Sequence, residues 1–220
     1  MNVVCIKWGQ KYGAEYVNNL DYMVRKHSTV PTNFICITED TTGIKDSITI
    51  KELPNLNLKI WWNKLYIFKP GALPEGPTLY LDLDVVIHRN IDEILTYGED
   101  DEFVGCRDFG QPKMWFNSSV MRFNPKSHSH IWDRFNADRG EALKLHGDQN
   151  FITKVMKGKP GTITFPDEWI WSYKWGAVRG ERFKKGNIAA TSKIAVFHGI
   201  PNPPTVKDKE NWIKENWKCD

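Results

Sequence analysis

The chain has 220 residues, and 30 Lys and Arg against 27 Asp and Glu give a formal charge of +3. So small a basic excess argues against bulk nucleic-acid binding, and no apolar run approaches the ~18–20 residues that cross a bilayer. The length suits one domain with a sizeable core, and the ten Trp are the unusual count, since such rings favour sites for flat or sugar-like ligands.

Residues 2–8 read as a buried first strand. A turn over 9–13 leads into a helix through about Lys26, with Tyr16, Leu20, Met23 and Val24 at helical spacing. Strands are expected at 33–38 and 47–51, then a helix at 60–68 closed by Lys69-Pro70-Gly71. A strand at 77–82 and a short helix at 91–97 follow. The second half reads as strands at 103–106 and 118–123, helices at 127–136 and 148–156, and strands at 163–165, 169–173 and 194–197. Strands alternating with helices in the first half predict an α/β fold with a mainly parallel central sheet flanked by helices. In such sheets ligands bind outside the carboxyl ends of the strands. No stretch reads as a secretory leader. Cys5, Cys36, Cys106 and Cys219 have no metal or redox spacing, so free thiols in a reducing cytoplasm are expected.

The most informative run is Leu79-Tyr80-Leu81-Asp82-Leu83-Asp84-Val85-Val86-Ile87. Acids at i and i+2 on a strand end lie on the same side of it. Burying unpaired carboxylates is costly, so a positive partner is expected. A divalent cation, Mn²⁺ or Mg²⁺, itself carrying a diphosphate, meets the requirement. The plain alternative is two acids facing solvent at a strand terminus.

Four further segments accompany this one in order: Asn63-Lys64-Leu65, the run Phe116-Asn117-Ser118-Ser119-Val120-Met121-Arg122-Phe123-Asn124, Gly147-Asp148-Gln149, and Phe197-His198-Gly199. Together with Asp82-Leu83-Asp84, and Asn90-Ile91-Asp92-Glu93-Ile94 behind it, they resemble the motifs of GT-A fold glycosyltransferases. The likeness is to glycogenin-like and lipopolysaccharide galactosyltransferase-like enzymes, family 8 and relatives, and it spans roughly residues 3–204. Two positions depart from the family pattern. Ser119 stands where Gly is usual, and Asn202 replaces the Lys before Pro, removing one expected diphosphate contact.

The resemblance implies a single GT-A (Rossmann-like) domain over 1–204, with a helical tail over 205–220 packed on it. It implies metal-dependent transfer of a sugar from a nucleotide-sugar, UDP-linked by preference, to a hydroxyl of a glycan, lipid-linked or protein acceptor, with retention. Asp82, Asp84 and His198 are the implied metal ligands. Lys64, Asp82, Asp108, Asn117 and Ser118 are the implied donor-binding residues. Gln149 and Asp148 fall near the reacting carbon, and a neutral amide such as Gln149 is a poor nucleophile, which suits same-face attack. Each residue also has a plainer reading: His198 as a satisfied strand-end histidine, Lys64 on a solvated helix face, Asp108 in a turn, Asp148 as a helix N-terminal residue.

Trp169, Trp171, Tyr173 and Trp175 alternate, which puts four rings on one strand face, either as a sugar platform or as core. Arg179, Arg182, Lys184 and Lys185 lie in a Gly-bounded stretch that reads as a closing loop over diphosphate or a solvated loop. From Lys207 onward, Trp212, Ile213 and Trp217 suggest a short helix packing back on the domain. Two other functions fit an apolar strand ending in Asp-x-Asp. One is a haloacid-dehalogenase-like phosphohydrolase with Asp82 as nucleophile and Asp84 as acid/base. Val85-Val86 after the acids and the lack of a late paired-acid strand speak against it. The other is a non-catalytic sugar-nucleotide-binding protein.

Overall fold

A computed structural model describes residues 1–110, 116–176 and 190–219. Strand β1 (Asn2–Lys7) leads into helix α1 (Ala14–His27), then β2 (Asn33–Thr38) and β3 (Thr49–Glu52). A 3-10 helix covers Ile60–Phe68, followed by β4 (Thr78–Leu81), β5 (Val85–Ile87), α2 (Asp92–Thr96), β6 (Phe103–Arg107) and β7 (Phe116–Phe123). The remainder holds α3 (His130–Ala137), α4 (Arg139–Ala142), α5 (Asp148–Met156), β8 (Thr162–Thr164), β9 (Ile170–Ser172), β10 (Ile194–Val196), α6 (Pro203–Val206) and α7 (Asn211–Lys214).

Seven strands form one sheet in the order β3-β2-β1-β4-β7-β6-β8. The β1–β2, β2–β3, β1–β4 and β6–β8 pairs are parallel, while β7 runs antiparallel to both β4 and β6. The near-continuous apolar runs of β1 and β2 follow from burial on both faces. Alternate residues divide between two cores: Val3, Cys5, Leu79 and Leu81 join one, and Val4, Ile6 and Tyr80 the other. That split is the two-residue period of a strand expressed as packing.

The smaller sheet, β5-β10-β9, closes the first of these cores. It positions the two acids differently from the sequence expectation. Asp82 N donates to Ser119 O at 2.9 Å, extending the large sheet, whereas Asp84 O accepts from Phe197 N at 3.0 Å, in the small one. Asp82-Leu83-Asp84 is therefore the turn that carries the chain between sheets, not the end of one strand. The acids owe their proximity to that turn.

Residues 60–68 form a 3-10 helix rather than an α-helix. Trp62, Leu65 and Phe68 are buried, and their three-residue spacing matches the 3.0-residue turn of a 3-10 helix. The strand expected at 169–173 is shorter, and its rings part company. Trp171 is buried, 5.6 Å from Trp212. Trp169 packs on Tyr97 at 5.2 Å, and Tyr173 stacks on Phe197 at 4.4 Å. Trp175, beyond the strand, is 40 % exposed. Three of the four rings thus serve packing.

The last described residues dock on α1. Trp217 meets Tyr16 edge-on at 5.0 Å. Asn216 Oδ1 accepts from Lys26 Nζ at 2.8 Å and lies 2.7 Å from His27 Nε2. Asn19 exchanges two hydrogen bonds with the Cys219 backbone. Among the described residues no helix is long and apolar enough to cross a membrane.

Candidate active site

Lys64 is the hub of the site. The 3-10 helix buries it against the carboxyl end of β4, where its ammonium lies 2.9 Å from Asp82 Oδ1 and 3.4 Å from Asp148 Oδ2. It also donates to Ser118 Oγ at 2.9 Å and Ser118 O at 3.2 Å. Burial alone would depress the Lys64 ammonium, but the Asp148 and Asp82 charges outweigh burial and hold it above its ordinary value. Asp148 is the first residue of α5 and is itself buried. Burial raises its carboxyl, and Lys64 offsets part of the rise. Its Oδ2 makes no hydrogen bond, so the Lys64 charge is what holds that oxygen.

Tyrosines brace the two aspartates. Tyr80, on β4, donates to Asp82 Oδ1 at 2.7 Å, and Tyr12 donates to Asp84 Oδ2 at 2.8 Å. Burial first, and the nearby Asp82 charge second, push the Asp84 carboxyl up to about 7. Lys64 contacts Asp82 and Asp148, and at Asp84 the Lys11 and Lys64 charges only partly counter burial and Asp82. Sequence reasoning missed both tyrosines. Tyr80 carried a readable signal, being at i−2 from Asp82 on one strand face. Tyr12 carried none, since 72 residues separate it from its partner.

Gln149, the second residue of α5, is fixed at both ends of its amide. Its Oε1 accepts from Asn117 Nδ2 at 3.2 Å and from Ser118 N at 3.4 Å, and its Nε2 donates to Asp108 Oδ2 at 2.7 Å. Asp108 lies just past β6 and Asn117 near the start of β7, so two neighbouring strands and one helix N-terminus converge on this amide. Seven residues singled out from the sequence, Lys64, Asp82, Asp108, Asn117, Ser118, Asp148 and Gln149, form one contact network.

His198 follows β10 and lies beside the acid turn along the Phe197–Asp84 bond. Its Nε2 is 2.6 Å from Ser172 Oγ, its ring is parallel to Phe109 at 5.9 Å, and Trp175 sits at 4.4 Å. Burial, then the Lys174 charge, lower its pKa, which favours the neutral imidazole. Among the described residues no three His, Cys, Asp or Glu side chains form a preassembled metal cage. The structure brings Asp82 and Asp84 together and ties His198 to Ser172.

No protein-family model matches the sequence, and no curated protein matches it. Solved structures do match its fold. A galactosyltransferase, LgtC, in complex with donor and acceptor sugar analogues superimposes with a TM-score of 0.71 at 14 % identity, over 99 % of this chain and 95 % of LgtC. The glycosyltransferase GlyE of Streptococcus pneumoniae TIGR4 gives 0.73 at 14 % identity, over 100 % of this chain and 61 % of GlyE. An active-site LgtC mutant with Gln changed to Glu gives 0.65 at 14 % identity, over 92 % and 89 %.

The chain has the GT-A glycosyltransferase fold. Within that fold the network above stands at the carboxyl ends of β4 and β6, where an open α/β sheet places its ligands. A cleft of about 290 Å³ opens nearby, past the ends of β1 and β2, lined among others by Trp8, Gly9, Glu39, Leu53, Leu58 and Asn63. Arg179, Arg182, Lys184 and Lys185, singled out as a closing loop, lie outside the described residues.

Proposed function

We propose that this GT-A fold protein is a metal-dependent glycosyltransferase that moves a sugar from a nucleotide-sugar, UDP-linked in our reading, to an acceptor hydroxyl with retention. The observation that carries the reading is the convergence of Lys64, Asp82, Asp108, Asp148 and Gln149 at the sheet's carboxyl edge. The solved LgtC complex with donor and acceptor sugar analogues supports it, as does the LgtC active-site Gln-to-Glu mutant. Gln149 is our candidate for such a glutamine.

The donor set suits a hard divalent ion. Asp82 and Asp84 offer carboxylate oxygens, Asp84 is pushed toward neutrality by burial and by Asp82 more than Lys11 and Lys64 counter it, and His198 follows Phe197, whose N–H binds the acid turn. Asp82, Asp84 and His198 would hold Mn²⁺ or Mg²⁺. The ion would supply positive charge against a diphosphate leaving group. Lys64 orients Asp82 and Asp148 and adds fixed positive charge beneath them. The cleft by Trp8 and Asn63 would take the nucleoside. Asp108, Asn117 and Ser118 present short polar groups for donor-sugar hydroxyls. Gln149, held between Asp108 and the β7 backbone, directs a neutral dipole at the reacting centre. Such a group stabilises an oxocarbenium-like carbon without forming a bond to it.

Free cysteines, three of them buried, suit a reducing compartment, and we place the protein in the cytoplasm. Calorimetry of UDP with Mn²⁺, run on wild type and Asp84→Asn beside a screen of nucleotide sugars for nucleotide release, tests the reading. Tight Mn²⁺-dependent binding that the mutant loses, with release of UDP on turnover, is the expected result. Equal affinity in the mutant removes the metal assignment. Phosphate release from monoesters, with no sugar transfer, points to the phosphohydrolase instead. Tight binding with no turnover leaves a sugar-nucleotide-binding protein.

A further inference from the structure

The adjacent residues Trp61 and Trp62 are put to opposite uses. Trp62 is buried, 5.8 Å from Phe135 and 6.5 Å from Phe151. Trp61, one residue earlier on the same 3-10 helix, leaves 38 % of its surface exposed. Its ring runs parallel to His146, 9° between planes and 5.9 Å between centroids. Its indole edge lies on Gly147. A Cβ at position 147 would fall 2.4 Å from Trp61 Nε1 and 2.9 Å from its Cδ1. Gly147 has an extended backbone, φ −175°, which any residue adopts, so close approach of Trp61 is what requires glycine there.

Gly147 directly precedes Asp148 and Gln149. An exposed indole is thus clamped beside the residues that border the reacting carbon, while the core needs nothing from it. Ile60, just before it, is also exposed at 48 % and holds a left-handed φ of +54°. A β-branched residue rarely adopts that conformation. An exposed Trp with a supported ring and an apolar neighbour is the surface on which the C–H face of a pyranose stacks, leaving the sugar's hydroxyls at its rim.

We propose that Trp61, backed by His146 and seated on Gly147, is the acceptor platform of this enzyme, and that the acceptor hydroxyl is carried on a pyranose ring, not on a Ser, Thr or Tyr side chain. The inference rests on the glycosyl-transfer reading and deepens it by naming the acceptor class. The ring sets the plane of the incoming sugar, so that one edge hydroxyl faces Gln149 and Asp148. The shelf contributes to acceptor binding and not to nucleotide binding.

The test uses the full chain with UDP and Mg²⁺ bound, the diamagnetic ion keeping resonances near the site visible. The Trp61 indole N–H resonance is assigned by its loss in Trp61→Phe, and a series of methyl glycopyranosides is then titrated against N-acetyl-serinamide. A saturable shift of that resonance with at least one glycoside, and none with the serine derivative, is expected. Trp61→Ala should weaken that glycoside's Kd about 10-fold, a stacking-sized effect, with UDP affinity by calorimetry moving less than about 2-fold. Trp61→Phe, which keeps a ring, should stay within about 3-fold and guards against a folding artefact. A Trp61 resonance unmoved by every glycoside, a shift produced by the serine derivative, or an unchanged glycoside Kd in Trp61→Ala overturns the platform. Failure of wild type to bind UDP at all overturns the underlying glycosyl-transfer reading instead, since that measurement contains no acceptor.

Discussion

Tyr12 donates its hydroxyl hydrogen to Asp84 Oδ2 across 2.8 Å. It lies in the turn after β1, and Asp84 lies in the turn between the two sheets. The bond is the only one named above that engages the Asp84 carboxylate, and it favours the charged form of an acid that burial and Asp82 push toward neutrality. Tyr12 thus counters the push of Asp84 toward its neutral form.

Replacing Tyr12 by Phe should therefore raise the Asp84 pKa further. At pH 7 a larger share of the acid is then protonated, and a proton must leave before Mn²⁺ enters. Mn²⁺ affinity, followed by the loss of free-ion electron paramagnetic resonance signal, should fall about 3- to 10-fold, in line with one charge-assisted hydrogen bond. The deficit should shrink as pH rises. A pH-independent deficit would assign Tyr12 to packing.

Lys64 neutralises two carboxylates, Asp82 and Asp148. Lys64→Met should strand Asp82 and the buried Asp148, with a loss of about 3–5 kcal/mol in urea denaturation. The double variant Lys64→Met/Asp148→Leu should recover part of that loss, because it removes a stranded charge along with its partner. No recovery would mean that Lys64 acts through packing alone.

Gln149→Glu sets a carboxylate against Asp108 Oδ2, which now accepts the Gln149 amide at 2.7 Å. Two like charges at that distance share a proton or part. Turnover should drop on the order of 10- to 1,000-fold, while UDP affinity changes little, since the amide contributes chiefly in the transition state. Nucleotide binding by calorimetry and sugar transfer in the same preparation decide the matter. Anomeric configuration by proton NMR of the wild-type product checks retention.

His88 accepts a hydrogen bond from Trp171 Nε1 at 3.1 Å. Burial, then the Arg89 charge, lower its pKa to about 3. The unfolded chain binds this proton more readily than the folded one, so stability falls as pH drops below about 6.5 and continues to fall toward 3. The slope from this one group is at most about 1.4 kcal/mol per pH unit. Urea midpoints between pH 7 and 4 should show it, and His88→Gln should flatten that part of the profile.

Elements whose cause is local were legible before folding. The runs 33–38 and 148–156 appear in the structure with the expected limits, because apolar patterning and flanking polar or glycine residues mark them within a few positions. The small sheet was harder to see. β5 is three residues long and is defined by β10, about a hundred positions later. The two acids looked like one strand end because a turn between sheets leaves no local trace in Asp82-Leu83-Asp84. Spacing brought out Asp82 and Asp84, and the resemblance to GT-A glycosyltransferases brought out Lys64, Asp108, Asp148 and Gln149. Neither could indicate that Tyr12 reaches Asp84, or that the alternation from Trp169 to Trp175 stops at Ser172. Both depend on where distant chain lies, not on propensity.

The docking of Asn216, Trp217 and Cys219 on α1 has a consequence for the order of folding. Asn19 and the Cys219 backbone are 200 positions apart, so this face of the first helix stays uncovered until synthesis has reached Cys219. Tyr16, which touches both Trp217 and Tyr12, waits with it. The contacts that brace the acid turn from this side are thus among the last to form. A nascent chain can hold a well-ordered central sheet before its acid turn is fully braced, and long-range closure of this kind is slow relative to local structure.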